Sequence, residues 1–400
     1  MAVKFPGSQA TVYVMREVTY GVPRKPAGAE AVRTISETFT PAHERAERPD
    51  RTSSADYIDQ YTGRHSATWE LQALLLPNGN VATQPDDFRL WEDGLGHMSI
   101  GVTSIEFLMA TAHTTSLTIR RGIRGTATGS AGSFQEHVFG AIVQGIDVAW
   151  GSQGQNGLAT VTYRGMAKKW GYTGNSSLDI TGASMTKVVS GVTVYNSRQF
   201  TEGSCIQVKT DVHGASGFIL KTSNFTNNRL TFSLGCTGMN STHSEFDSVW
   251  PHNPVPITAG SPVHAKVGYL SLDGSATQVK HLGGRITFDN GRTLLADEVG
   301  FDSATEVLRD TKYKTTVSLE FLMKKDQVGL LLGSAYDDAT SGKVHVGIGS
   351  TTGGIYEFQM KRVKWDIVAP NVPAEGDARV TMTGRAYGIN GQDSLKVRIK

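Results

Sequence analysis

The feature that most constrains this chain is an internal repeat. The segment from Gly157 to Ala167 lies over the segment from Gly376 to Ala386 with six identities in eleven positions, at an offset of 219. The same offset carries Phe139 onto Phe358 and Asp147 onto Asp366. Upstream, Thr68 to Leu75 lies over Thr316 to Met323 at an offset of 248, and Val32 to Ile35 lies over Val279 to Leu282 at 247. Three blocks in one order imply a duplicated unit, because shared β-type alternation explains one block but not their collinearity. The drop from 248 to 219 puts 29 extra residues into the first copy, between Gly94 and Ser133.

Each copy alternates with period two. Ala159, Val161, Tyr163 and Gly165 oppose Thr160, Thr162 and Arg164, and Ala378, Val380, Met382 and Gly384 oppose Arg379, Thr381 and Thr383, as in strands buried on one face. One helix is expected at Asp86 to Asp93, after Pro85 and ended by Gly94, with a counterpart at Asp326 to Leu332. The glycine-rich run Arg121 to Ser133 is expected to be a loop. Between the copies, short strands such as Gly191 to Tyr195 and Arg229 to Ser233 imply a small inserted β domain, and Pro251 to Pro256 a stiff linker back.

The expected fold is therefore mainly β: two tandem sandwich or barrel domains at 1–174 and 264–400, each with one short helix, and a small β domain inserted at 175–263. The insert is expected on the outside and dispensable for assembly. Pro41 to Tyr61 forms a charged excursion between two long strands, too long for a tight hairpin and too polar for a core.

Composition excludes several function classes. With 39 basic and 37 acidic residues the net charge is +2, so the chain lacks the basic field of a nucleic-acid wrapper. Cys205 and Cys236 match neither zinc spacing nor a redox pair and are expected to be buried free thiols. No apolar run reaches a membrane span and the N-terminus lacks a signal core, so a soluble protein made in the cytoplasm is expected, without a membrane partner. The glycines of Gly347 to Gly354 precede an alternating run rather than a helix, and read as a hairpin turn. The histidines are dispersed and no nucleophile elbow occurs. Asp86-Asp87 and Asp337-Asp338 read as caps or turns, and Asp147 and Asp366 as structural hydrogen bonds to a neighbouring loop. The basic pairs Arg120-Arg121, Lys168-Lys169, Lys324-Lys325 and Lys361-Arg362 read as inter-subunit ion pairs. No enzyme activity, cofactor or metal is expected.

The run from Phe39 through Tyr57 to Gly79, a charged loop before a long strand, a Pro-containing turn and a helix, resembles the first half of the tail tube (major tail) proteins of long-tailed bacteriophages. The duplicated layout is similar to tube proteins that carry two tube domains in one chain. The resemblance implies a virion protein that closes into rings, here three chains with pseudo-sixfold symmetry, stacked into a conduit through which genomic DNA passes non-specifically. It implies tape measure and tail-end proteins as partners. The long loop is expected to stack the rings through Glu44, Arg45, Glu47, Arg48, Asp50 and Arg51. A tail-end or baseplate tube component stays open as an alternative. So does a β-rich tailspike or adhesion protein, which would call for regular coils and paired carboxylates about 5–9 Å apart.

Overall fold

The computed structural model describes residues 10–47, 60–80, 83–110, 116–123, 134–154, 157–177, 191–194, 196–208, 218–224, 226, 229–232, 248–264, 268–272, 281–295, 298, 301–322, 342–349, 354–366, 378–390 and 393–400. Over these the protein is mainly β, with one α-helix.

The first part of the chain contributes β1 (Ala10–Arg16), β2 (Ala31–Val32), β3 (Thr34–Glu47) and β4 (Gln60–Leu74). Helix α1 (Phe88–Leu95) follows, then β5 (Gly96–Ile100), β6 (Ile105–Met109), β7 (Leu117–Ile123), β8 (Phe134–Gly151), β9 (Thr160–Ala167) and β10 (Lys169–Thr173). Strand β8 is long enough to serve two sheets. Its first half lies between β7 and β10, and its second half pairs with β9, which pairs with β4, which pairs with β3. β1 closes the other side of β7.

The middle of the chain forms six short strands: β11 (Ser176–Ser177), β12 (Gly191–Thr193), β13 (Cys205–Val208), β14 (Phe218–Asn224), β15 (Arg229–Phe232) and β16 (Ser248–Pro251). Among the described residues they pair only with one another. Beyond Pro251 the chain does not bridge freely to the second copy. Residues 252–264 run along the first copy, where Ile257 N–H donates to the Gly28 carbonyl (2.8 Å) and Val263 N–H to that of Leu75 (3.1 Å).

The last part holds β17 (Gly268–Leu272), β18 (Gly283–Asp289), β19 (Arg292–Leu295), β20 (Glu306–Arg309), β21 (Lys314–Leu322), β22 (Gly342–Ile348), β23 (Tyr356–Trp365), β24 (Arg379–Ala386) and β25 (Lys396–Ile399). Its pairing repeats that of the first part. β17 joins β22, β22 joins β23, β23 joins both β25 and β24, β24 joins β21, and β21 joins β18. Registers repeat as well. Trp69 faces Gly165 and Val317 faces Gly384, at separations of 248 and 219. Phe39 faces Trp69 and Ile286 faces Val317, which gives 247 for the third offset.

Two joints fuse the parts. β18 pairs with the second half of β8, and β25 pairs with β6 of the first part's extra residues. One sheet then runs β3-β4-β9-β8-β18-β21-β24-β23, antiparallel throughout. Behind it a single apolar core spans both parts, with the ring of Trp91 on α1 packed against Phe107, Tyr163, Tyr356 and Phe358 at centroid separations of 5.6–6.4 Å.

Three local expectations need correction. α1 runs two residues past Asp93, because Leu95 completes its buried face and Gly96, at φ 109°, takes the left-handed turn that stops it. Gly94 is a close-approach residue, where a Cβ would lie 2.5 Å from Ile146 Cδ1. The run from Arg121 is not all loop, since Arg121 to Ile123 complete β7. The flanks of the excursion are strands too: β3 and β4 stay paired out to Glu47 and Gln60, across a shift of register between His43 and Arg45. The second helix expected at 326–332 and the pair Asp337-Asp338 lie outside the described residues.

Candidate assembly surface

One row of directly opposed residues crosses all eight strands of the long sheet: Ser36, Gln72, Thr162, Asp147, Thr287, Thr316, Arg385 and Lys364. All are half-buried or exposed. The next row, Glu37, Leu71, Tyr163, Ile146, Phe288, Thr315, Ala386 and Val363, faces the core and is buried except at Glu37. The sheet thus has one apolar face, covered by the rest of the molecule, and one face of Thr, Ser and scattered charges. That face carries the carboxylates Glu70, Asp147, Asp289, Glu320 and Asp366 and the cations Arg164, Arg285, Lys314, Arg362, Lys364, Arg379 and Arg385. Five against seven leaves it with a small positive excess. Asp147 does not bond to a loop as expected: β8 pairs with β18, which brings Arg285 alongside, and Arg285 Nε donates to Asp147 Oδ1 at 2.7 Å. Arg379 pairs with Glu320 at 3.2 Å.

The two ends of this sheet differ. β3 pairs with β4 on one edge, and on the other, among the described residues, only the Glu37 carbonyl has a partner, Arg121 Nη1 at 3.3 Å. At the far end β23 holds β22 as far as Val363, and past that residue, among the described residues, it pairs only with β24.

Beyond the sheet, β3 from Pro41 to Glu47 and β4 from Gln60 to Ser66 form a two-stranded arm. It carries Glu44, Arg45 and Glu47 on β3, while Arg48, Asp50 and Arg51 lie outside the described residues. The root of the arm is clasped by the second part of the chain. His65 N–H donates to the Asp302 carbonyl (2.7 Å), and Arg64 Nη2 to that of Glu298 (3.1 Å).

The seam between the parts was not legible from the sequence. Asp93 at the end of α1 accepts from Val143 N–H at 2.7 Å and from Arg292 Nη1 at 2.9 Å. Asn290 N–H donates to the Gln144 carbonyl at 2.9 Å, and Leu294 and Ala304 pack on Ile142.

The basic pairs are mostly engaged within the chain, which corrects their assignment to neighbouring subunits. Arg120 is fully buried and donates to the carbonyls of Arg24 (3.0 Å) and Gly203 (2.7 Å), and burial lowers its pKa to about 10. Arg121 pairs with Glu136, Lys169 with Glu202 and Asp302, and Lys361 with Asp393. Lys324-Lys325 lies outside the described residues. Arg120 is also what ties the inserted domain down, together with a Thr173–Phe200 bridge and Gly174 N–H donating to Gln199 (2.7 Å). These contacts lie at β7 and β10, in the sheet β1-β7-β8-β10, away from the polar face.

Titratable groups out of their ordinary range have structural causes. Burial raises the carboxyl of Asp87 to about 6, and Tyr163 Oη (2.5 Å) and Trp91 Nε1 (3.2 Å) donate to it. Asp87 stands at the N-cap position without capping by its side chain, and Asp86 accepts from Arg33 Nε at 3.2 Å. Burial also raises Glu17, which accepts from Ser116, Thr118, Gly21 and Gly140. It holds His137 down to about 3 and pushes the Cys205 thiol, buried and free, up to about 11. Cys236 lies outside the described residues. Among the described residues no group of three His, Cys, Asp or Glu side chains is placed to hold a metal. Comparison of the sequence with protein-family models and with curated proteins finds no match.

Proposed function

We propose that this chain is a structural subunit of a phage tail tube, which closes into rings of three and stacks them into a conduit for DNA. The observation that carries the reading is the eight-stranded sheet with one dry face, one polar face of mixed charge and, among the described residues, an edge without a strand partner at each end. Eight strands closed on themselves leave an interior that side chains fill. A polar face of this extent therefore suits a larger barrel, shared between chains. Three chains bring twenty-four strands, and at about 4.8 Å per strand the wall is about 115 Å around, wide enough for a duplex.

Mixed charge suits passage. Fixed Lys and Arg contacts to phosphates would hold DNA in place, whereas a wall of threonines and paired charges binds it weakly. The arm between β3 and β4, with its mixed charges, is the part assigned to ring stacking, and the inserted domain, docked at β7 and β10, to the outside. Tape measure and tail-end proteins are the partners this reading carries, and the virion is its location.

Electron microscopy and native mass spectrometry of the purified protein test it. Rings or tubes built of three chains are expected. Particles that remain single chains at all concentrations, or rings of six, would count against it.

A further inference from the structure

Each chain already contains one joint of the kind a ring needs. We infer that the joint between chains repeats the joint inside the chain: the open edge of β3 in one copy pairs antiparallel with the end of β23, at Lys364–Asp366, in a second copy. This rests on the ring reading above and adds which edges meet, in what register.

The argument runs through the repeat. β18 is the counterpart of β3, since β18 pairs with β21 in the register in which β3 pairs with β4. Likewise β23 is the counterpart of β8, flanked by β22, β25 and β24 as β8 is by β7, β10 and β9. Inside the chain the second edge of β18 is taken by the second half of β8, from Asp289 opposite Gly145 to Gly283 opposite Gly151. In the counterparts both of these edges stand without a strand partner among the described residues, apart from the one Arg121 bond to Glu37. The same pair of edges that is joined once within the chain is thus left open once at each end.

Register follows from the offsets. Asp289 less 247 is Ala42, and Gly145 plus 219 is Lys364. Traced through the neighbouring strand, Gly145 faces Arg164, whose counterpart Thr383 accepts from Asp366 N–H at 2.8 Å. Ala42 therefore falls opposite Lys364–Asp366, and all three positions are exposed. The strand edges away from the long sheet lack this complementarity. β10 is covered by the inserted domain at Phe200 and β25 by β6, and although β5 and β17 each keep an edge without a strand partner among the described residues, nothing in the chain joins those two.

Cross-linking tests the inference. Ala42→Cys and Asp366→Cys are made separately and together, and treated with a short bis-maleimide that tolerates a slip of two residues, about 7 Å. The double variant should run as covalent dimers and trimers on a denaturing gel, a mixture of the two single variants as dimers only, and each single variant as monomer. In unmodified protein, amide exchange should slow at Thr38–Ala42 and Lys364–Asp366 on assembly. Three-chain rings without the cross-link or the protection would overturn this seam and leave the ring reading standing. Covalent dimers of Ala42→Cys alone would overturn it in favour of a two-fold contact. Protein that stays monomeric by native mass spectrometry would remove the ring reading, and this seam with it.

Discussion

Arg292 and Asp93 close the seam between the two halves of the chain, with Nη1 2.9 Å from Oδ2 and both side chains about 1% exposed. Arg292 also donates to the Asp93 carbonyl at 3.0 Å, so a single guanidinium holds the end of α1 against the start of β19. Truncating one partner of a buried pair strands the other charge away from water. Arg292→Met should therefore cost about 3–5 kcal/mol in urea unfolding, and Asp93→Asn with Arg292→Met should cost less than Arg292→Met alone.

Asp87 predicts a pH dependence with a definite sign. Its folded pKa, about 6, stands above the ordinary aspartate value of 3.8, so the folded state binds more protons than the unfolded state between those values. Stability from this group is greatest below about pH 4 and is lost as pH rises through 6, by about 2–3 kcal/mol. His137 and His252, held neutral by burial, act in the opposite direction as pH falls. The difference between wild type and Asp87→Asn isolates the carboxyl: the variant should gain on wild type as pH goes from 4 to 7. An unchanged difference across that range would contradict the assignment.

Gly165 and Gly384 share one position of the repeat, and their surroundings rank them. A Cβ on Gly165 would lie 1.8 Å from the Ile142 carbonyl oxygen, whereas on Gly384 the nearest atoms, the Lys364 carbonyl oxygen and Trp365 Cε3, are at 2.8 Å. Gly165→Ala should lower stability by about 3 kcal/mol and Gly384→Ala by about 1–2 kcal/mol. Thermal unfolding of the two variants reads the order directly.

The charged arm predicts a separation between ring formation and stacking. Replacing Arg45, Arg48 and Arg51 together by Glu should abolish long tubes and leave single rings, because the arm extends beyond the paired sheet. Raised salt should shorten wild-type tubes in the same way, since contacts between exposed charges are screened. Tubes of normal length from the triple variant, counted by electron microscopy, would remove the arm from the stacking contact.

The offsets of the repeat were legible because a strand's inward and outward residues are local, and the registers of Trp69 with Gly165 and Val317 with Gly384 reproduce them. Which edges meet was not. β8 and β18 are far apart in sequence, and alternation says which way a side chain faces but not which strand lies beside it. The pairing of Asp93 with Arg292 was hidden for the same reason: their burial follows from the joint. Arg120 was assigned to a surface cluster because nothing local marks Gly203, far along the chain, as its acceptor. The end of α1 was misplaced because Gly94 serves packing against Ile146 and not chain reversal.

The long sheet begins with β3 and ends with β23, and these are different surfaces. Copies joined through the proposed seam, β3 of one to β23 of the next, meet head to tail, so every junction points the same way around. An assembly of this kind has no two-fold axis across it, and its upper and lower rims are chemically distinct. In the proposed tube, upper rim set on lower rim keeps every ring the same way up, and a channel built so would have a front and a back set by the order of strands in one chain.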